Sequence, residues 1–192
     1  MKIQDEGIDI EYRESFLPLE ISNTLFQVLR KEIPWEQKSI WTPRGKIPMP
    51  RMVSWHADNP SLTYKYSGVL HQANPWTEFL LKLKKHVEKE LGTVFNGALC
   101  NLYENEKHSV SPHADDEPEM EENAMIASIS LGSVRKFIIK HNENKNRYVI
   151  PLGHGSLIVM KGLTQKVSLH SIPKSKEVCE GRINITFRKS KL

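Results

Sequence analysis

Cysteine is nearly absent from this chain of 192 residues: Cys100 and Cys179 are the only two, and neither sits in the spacing of a metal-ligating motif. Two thiols cannot frame a chain of this length with disulfides, so stability must come from an apolar core, and a reducing compartment is expected. Long hydrophobic runs are also missing. No segment approaches the roughly 20 apolar residues that span a bilayer, and Met1 to Glu11 carries acidic residues rather than an apolar leader. A soluble, intracellular protein is expected, cytoplasmic or, in a eukaryote, nuclear, with no membrane partner. Internal repeats and low-complexity linkers are absent too. What is present is 39% hydrophobic residues, enough for a single domain over 1–192 that is expected to be a monomer. The formal net charge of +4 permits attraction to a polyanion without identifying one.

Periodicity divides the chain into two parts. From Ile21 to Glu32, Leu25, Phe26 and Leu29 share a helical stripe that Pro34 and Trp35 close. A second helix is expected from Asn74 as N-cap, with Pro75 in first position, Trp76, Phe79, Leu80, Leu83, Val87 and Leu91 on one face, and Gly92 at the end. Lysines fill its other face, which reads as solvated. From Gly97 the period changes to two, in runs over 97–103, 124–131, 134–140, 148–152, 156–161, 167–172 and 182–188. Short strands after a helix-bearing part of about 1–95 predict a mainly β fold with flanking helices, α+β, as a sandwich or jelly roll over about 96–192. The segment from Thr42 to Arg51, rich in proline and basic residues, reads as an exposed loop or hairpin.

Within this frame His113 and Asp115 lie two apart, which on an extended strand puts both side chains on one face, where one metal can take both. His170, in His-Ser-Ile-Pro, is a candidate third ligand. Two histidines and a carboxylate leave coordination positions open, an arrangement suited to non-haem Fe(II) that must also bind a chelating cosubstrate and dioxygen. Alone, a His-x-Asp pair is weak, because eight histidines and 23 acids produce such pairs by chance. Arg182 and Arg188 add weight. In Arg-Ile-Asn-Ile-Thr-Phe-Arg they project from the same strand face as Asn184 and Thr186, and arginine is the side chain that pairs bidentately with a carboxylate. Read apart from the triad, they are two exposed arginines on an edge strand.

Taken in order, Asn101-Leu102-Tyr103, His113-Ala114-Asp115-Asp116-Glu117, Ile126 to Gly132, His154-Gly155-Ser156-Leu157, His170-Ser171-Ile172-Pro173 and Arg182 to Arg188 resemble the AlkB family of Fe(II)- and 2-oxoglutarate-dependent dioxygenases, over roughly Trp35 to Arg188. The nearest resemblance is to the member that prefers single strands, through Leu99 to Tyr103, Asn105-Glu106-Lys107 and Asp115 to Pro118. The resemblance implies a double-stranded β-helix with His113, Asp115 and His170 on iron. It implies 2-oxoglutarate on Asn101, Tyr103, Arg182, Asn184, Thr186 and Arg188, with Arg182 on the carboxylate remote from the metal, and O2 as second cosubstrate. In the family a flipped base stacks on an aromatic side chain, a position that Tyr66 matches. Trp35, Tyr64, Asp116 and Glu117 match the surroundings of the base, although Trp35 and Tyr66 read equally well as core aromatics. The implied activity is oxidative demethylation of 1-methyladenine and 3-methylcytosine in DNA or RNA, reversing alkylation damage.

Two departures concern the pocket mouth: Pro112 stands before the first ligand, and no glycine lies between Tyr103 and His113. A third concerns the strand bound. The region from Pro43 to Arg51, where duplex-preferring members carry an apolar finger, holds prolines and basic groups that suit phosphate contact, with Arg51 matching a family arginine, so single-stranded DNA or RNA is expected ahead of duplex. The rival readings are a 2-oxoglutarate oxygenase acting on protein or a small molecule, and a nucleic-acid binding module without catalysis. Alanine at His113 or Asp115 is expected to remove the metal and leave the fold.

Overall fold

The computed structural model describes residues 1–42, 45–66 and 69–191, with the side chains of Thr42, Lys65 and Tyr66 outside the described part. In chain order the elements are β1 (Lys2–Asp5), β2 (Ile8–Arg13), α1 (Leu19–Glu32), β3 (Ser39–Thr42), β4 (Gly45–Pro48), β5 (Met52–Ala57), β6 (Tyr64–Tyr66), β7 (Val69–His71), α2 (Glu78–Leu91), β8 (Gly97–Tyr103), β9 (Val110–His113), β10 (Ile126–Gly132), β11 (Arg135–His141), β12 (Arg147–Leu152), β13 (Ser156–Lys161), α3 (Thr164–Val167), β14 (Ser168–Ile172) and β15 (Arg182–Arg188). They form a seven-stranded sheet, β1-β2-β13-β10-β15-β8-β5, a four-stranded sheet, β12-β11-β14-β9, and two small antiparallel pairs, β3-β4 and β6-β7. This is the mainly β, two-sheet jelly roll that the strand spacing predicts.

Alternation along the central strands explains how the layers stack. Odd positions of β10, β13 and β15 (Ala127, Ile129, Leu131, Leu157, Val159, Ile183, Ile185, Phe187) and even positions of β8 (Ala98, Cys100, Leu102) pack under Leu25, Leu29, Leu80, Leu83 and Val87 of the two helices. The opposite face turns Ile126, Ile158 and Met160 toward Phe137, Ile139, Ile150, Leu152 and Ile172 of the smaller sheet. The central strands of the large sheet are therefore covered on both faces, an apolar one under the helices and one toward the smaller sheet that also carries the polar side chains of β15.

Several expectations are corrected. The second helix starts at Glu78, capped by Thr77, whose side chain accepts from the Leu80 amide. Asn74 is used otherwise: its backbone N–H donates to the Trp55 carbonyl and its side chain to Ser54, so 74–76 runs extended beside β5. The left-handed cap at Gly92, φ 63°, falls where expected. The first helix begins two residues earlier, at Leu19. β2 went unread although Ile-Asp-Ile-Glu-Tyr-Arg alternates strictly, and it pairs with β13 as β5 pairs with β8, so the large sheet draws strands from both sides of residue 95. The expected Thr42 to Arg51 hairpin starts earlier: β3 from Ser39 pairs with β4, with Pro43 and Arg44 outside the described residues. Both cysteines are buried and unpaired, and no helix among the described residues is long and apolar enough to cross a membrane.

Gly97 opens β8 against the ring of Trp55, and a Cβ there would lie 2.3 Å from Trp55 Cη2. Trp55 is 1% exposed and stacks on Tyr64 at 5.1 Å, so the ring cannot move without disturbing that tyrosine. Gly97→Ala is expected to lower unfolding free energy by roughly 1–3 kcal/mol through overpacking, read as an earlier midpoint in urea at unchanged slope.

Candidate active site

β9 delivers His113 at its last residue, and Asp115 follows two positions later in the loop; His170 is the middle residue of β14 and pairs directly opposite His113. That register sets the two rings 4.4 Å apart and turns both Nε2 atoms to the Asp115 carboxylate, 3.5 Å from His113 and 3.6 Å from His170. One ligand atom from each residue falls within 4.8 Å of the others, the spacing of a shared metal ion. His113 Nδ1–H donates to the Ser111 carbonyl, which fixes the tautomer with Nε2 turned to the Asp115 carboxylate as the ligating atom. Burial pushes the His170 pKa down to about 3, so this ring is neutral and ready to coordinate at neutral pH.

Asp115 is held as an anion. Burial alone would raise its pKa, but the Arg188 guanidinium at 2.7 Å and the two histidines carry it well below the usual carboxylate range. Arg188 has further duties: Nη1 donates to the Tyr64 hydroxyl at 2.9 Å and to Glu117 at 3.2 Å, while Tyr64 O–H donates to Glu117. Gln165 of α3 accepts the Asp115 amide, fixing the ligand loop from the other side.

Beside the triad lies a cavity lined by the polar side chains of Arg51, Asn101, Tyr103, Arg182, Asn184, Thr186 and Arg188 and by the apolar ones of Val110, Phe137, Leu152, Ile158, Met160 and Ile172. All four polar positions of β15 enter it, as strand alternation requires. Asn184 and Thr186 are held through Ser128, and Arg182 Nη2 donates to Ser130 at 2.9 Å. Nε and Nη1 of Arg182 and Nε of Arg188 are buried with no hydrogen-bond partner among the described residues. The Tyr103 hydroxyl lies near enough to favour the Arg182 charge without hydrogen-bond geometry at those atoms. Unpartnered guanidinium nitrogens that are buried are costly, and a ligand with two carboxylates removes that cost. The residues present fit 2-oxoglutarate as well as Fe(II).

The remaining expected residues fall in different places. Arg51 is not a surface phosphate contact: it is 4% exposed, and its Nε donates to Asn101 Oδ1 at 2.7 Å inside the cavity. Tyr64 is fully buried over Arg188. Tyr66 ends β6, its side chain outside the described part. Asp116 is exposed, and with Glu117 it lines a depression next to the triad whose rim carries both acidic and basic side chains. Trp35 does not line the cavity; it packs against the helix-side core and its indole N–H donates to the Arg30 carbonyl. Sequence reasoning passed over Ser128, Ser130, Gln165 and Arg135. The serines had a signal, since Ile-Ala-Ser-Ile-Ser-Leu puts two hydroxyls on one face of a buried strand, but a glutamine on a four-residue helix had none.

Residues 9–188 match the family model described as the 2OG-Fe(II) oxygenase superfamily. Over 90% of its length the chain is 38% identical to bovine (Bos taurus) alpha-ketoglutarate-dependent dioxygenase alkB homolog 3, of which it covers 63%. It is 33% identical to human DNA oxidative demethylase ALKBH2 over 97% of this chain and 75% of that protein. Among solved structures, that of OsALKBH1 superposes with a TM-score of 0.64 at 15% identity, over 94% of this chain and 97% of the other, a likeness of fold. The chain belongs to the 2OG-Fe(II) oxygenase superfamily and, within it, to the AlkB family. It spans less than two thirds of the alkB homolog 3 proteins it matches.

Two outcomes follow from this geometry. Asp115→Ala, expected from sequence to spare the fold, leaves Arg188 short of its closest anion in a buried setting and should destabilise the metal-free protein by about 3–5 kcal/mol, less whatever Glu117 compensates. His113→Ala, on a side chain 20% exposed, should leave urea stability nearly unchanged. Both should abolish Mn(II) binding by calorimetry. The second outcome concerns His71 on β7, whose pKa is lowered to about 4 by burial and by the charges of Lys38 and Arg51, against Glu36. The folded state favours neutral His71, so from about pH 6.5 down to about 4 the unfolded chain takes up a proton that the folded one refuses, and stability falls across that window before levelling. His71→Gln should flatten this slope in urea titrations run between pH 4 and 7.

Proposed function

We propose that this protein is an Fe(II)- and 2-oxoglutarate-dependent demethylase of N-alkylated nucleic-acid bases, 1-methyladenine and 3-methylcytosine, acting on single-stranded DNA or RNA ahead of duplex. The observation that carries it is the His113-Asp115-His170 cluster opening into a cavity that holds the unpartnered nitrogens of Arg182 and Arg188. The names of the relatives, an alkB homolog 3 dioxygenase and a DNA oxidative demethylase, support the choice of substrate.

Each residue has a task in this reading. Arg182 holds the carboxylate remote from the metal, while Asn101, Tyr103 and Arg188 complete the cradle. His113, Asp115 and His170 hold Fe(II), and Arg188 keeps the aspartate ionised. With metal, cosubstrate and dioxygen bound, the centre supplies the oxidant that hydroxylates the N-methyl carbon, 2-oxoglutarate leaving as succinate and carbon dioxide. The hydroxymethyl group then departs as formaldehyde and the base is restored. Phe137, Leu152, Ile158 and Ile172 keep water from the cosubstrate. Methylation at the Watson-Crick edge weakens pairing and adds positive charge, so the damaged base is easier to extrude and is drawn to Asp116 and Glu117 at the mouth. Tyr66 is the aromatic on which that base stacks. Trp41, 80% exposed on the β3-β4 hairpin, makes the duplex arm of the test informative.

Protein loaded with Fe(II), 2-oxoglutarate, oxygen and ascorbate is incubated with single-stranded DNA, RNA and duplex, each carrying one 1-methyladenine or 3-methylcytosine, and base mass and succinate are followed. Loss of one methyl group matched by succinate, fastest on single strands, is expected. Succinate without demethylation moves the substrate elsewhere, and a faster duplex reverses the strand order. Arg182→Ala should raise the 2-oxoglutarate requirement by about tenfold or more through loss of charge-assisted contacts; an unchanged titration assigns the carboxylate to another residue.

A further inference from the structure

Arg135, the first residue of β11, is 3% exposed and forms no ion pair with any described carboxylate. Its guanidinium donates only to backbone carbonyls, those of Asn105, His108 and Pro173. A buried cation partnered by neutral dipoles alone is expensive unless an anion shares its field. The nearest feature is the cosubstrate cavity. Arg135 Cζ lies 5.8 Å from the centroid of the Tyr103 ring, and Arg182 Cζ lies 5.2 Å from the same ring. Tyr103 pairs with Arg182 across β8 and β15, and Arg182 pairs with Gly132, three residues before Arg135. Two buried guanidinium groups thus flank one aromatic residue at the end of the cavity farthest along β15 from Arg188.

We infer that Arg135, which does not line the cavity, is a positioning and specificity-determining residue: its charge, added to that of Arg182, selects a cosubstrate with a second carboxylate at this end. The inference rests on the reading of the cavity as a 2-oxoglutarate site and deepens it. The two cations oppose each other when the cavity is empty, and Arg135 is among the groups that disfavour the charged form of Arg182. A remote carboxylate removes that repulsion, whereas a methyl group at the same place leaves it. In a setting of low effective dielectric, a charge acts over several ångströms without contact. The same three carbonyls give Arg135 a mechanical task, because His108 precedes the ligand strand β9 and Pro173 follows β14. Charge and staple are separable by substitution.

The test is calorimetric binding to the Mn(II) form, which needs no turnover, comparing 2-oxoglutarate with 2-oxopentanoate, its analogue with a methyl group in place of the remote carboxylate. Arg135→Gln keeps amide donors for the carbonyls and removes the charge. It is expected to weaken 2-oxoglutarate about tenfold and 2-oxopentanoate by less than about twofold, lowering the selectivity ratio. Arg135→Lys keeps the charge and loses the fork, so it should cost stability yet hold the ratio. A ratio unchanged in Arg135→Gln, or lowered as far in Arg135→Lys as in Arg135→Gln, overturns the inference and leaves a staple. If Arg135→Gln does not fold, Arg135→Met with the same two ligands decides on the same criterion, and where neither neutral variant folds, a selectivity ratio lowered in Arg135→Lys overturns the inference. Should the wild-type protein not prefer 2-oxoglutarate to 2-oxopentanoate at all, the reading of the cavity fails first.

Discussion

The ion pair between Arg188 and Asp115, 2.7 Å apart with each side chain 3% exposed, is the interaction on which the rest of the site depends. A carboxylate can be a metal ligand only when deprotonated, and a buried carboxylate resists that state unless a cation attends it. Arg188 supplies the cation from the last strand of the large sheet. The same guanidinium reaches Tyr64 on the β6-β7 pair and Glu117 after the ligand loop. One planar fork therefore joins the sheet, the metal triad and the segment that stands over the cavity, a task that the point charge of a lysine does not perform.

Around that pair the charges of the cavity form a single problem. Asp115 and Glu117 are matched by Arg188, but Arg182 and Arg135 have no carboxylate among the described residues, and Arg51 is directed at Asn101. The protein alone thus carries an excess of buried positive charge beside a cluster that would add a divalent cation. Only a ligand with more than one negative charge brings such a site toward neutrality. The stability given up in burying unpaired guanidinium groups becomes binding free energy when the dianion arrives, which is how a site selects a small, strongly hydrated cosubstrate from water.

Much of this was legible in the sequence, and what was not follows a physical pattern. Residues that act along one strand could be read: Arg182, Asn184, Thr186 and Arg188 share a face because side chains alternate, whereas Asp115, read with His113 on one strand, lies in the loop beyond β9. The runs that became β8, β10, β11, β12, β13, β14 and β15 stood out because their side chains follow the two-residue period of a strand. Residues that act across elements could not be read. Gln165 reaches Asp115 from a helix of four residues, Arg135 reaches back to loops on either side, and Arg51, placed by composition in a basic surface segment, is drawn inside by Asn101. The start of α2 was misread because Asn74 satisfies any local rule for a helix cap, yet its backbone pairs with β5.

The division between strands and hairpins also separates the chemistry from the choice of substrate. His113, His170 and the polar cavity residues Asn101, Tyr103, Arg182, Asn184, Thr186 and Arg188 sit on strands of the two packed sheets, where a shift in register would move every side chain to the wrong face. The two small pairs, β3-β4 and β6-β7, stand outside the two large sheets as two-stranded units, and such units have little stability of their own. Their packing on the body is correspondingly narrow: Trp55 stacked on Tyr64, and Tyr64 held by Arg188 and Glu117. Substitution along the hairpins can therefore alter them while the triad stays intact, whereas a change at Tyr64 reaches both, because its hydroxyl lies one hydrogen bond from the cation that holds Asp115.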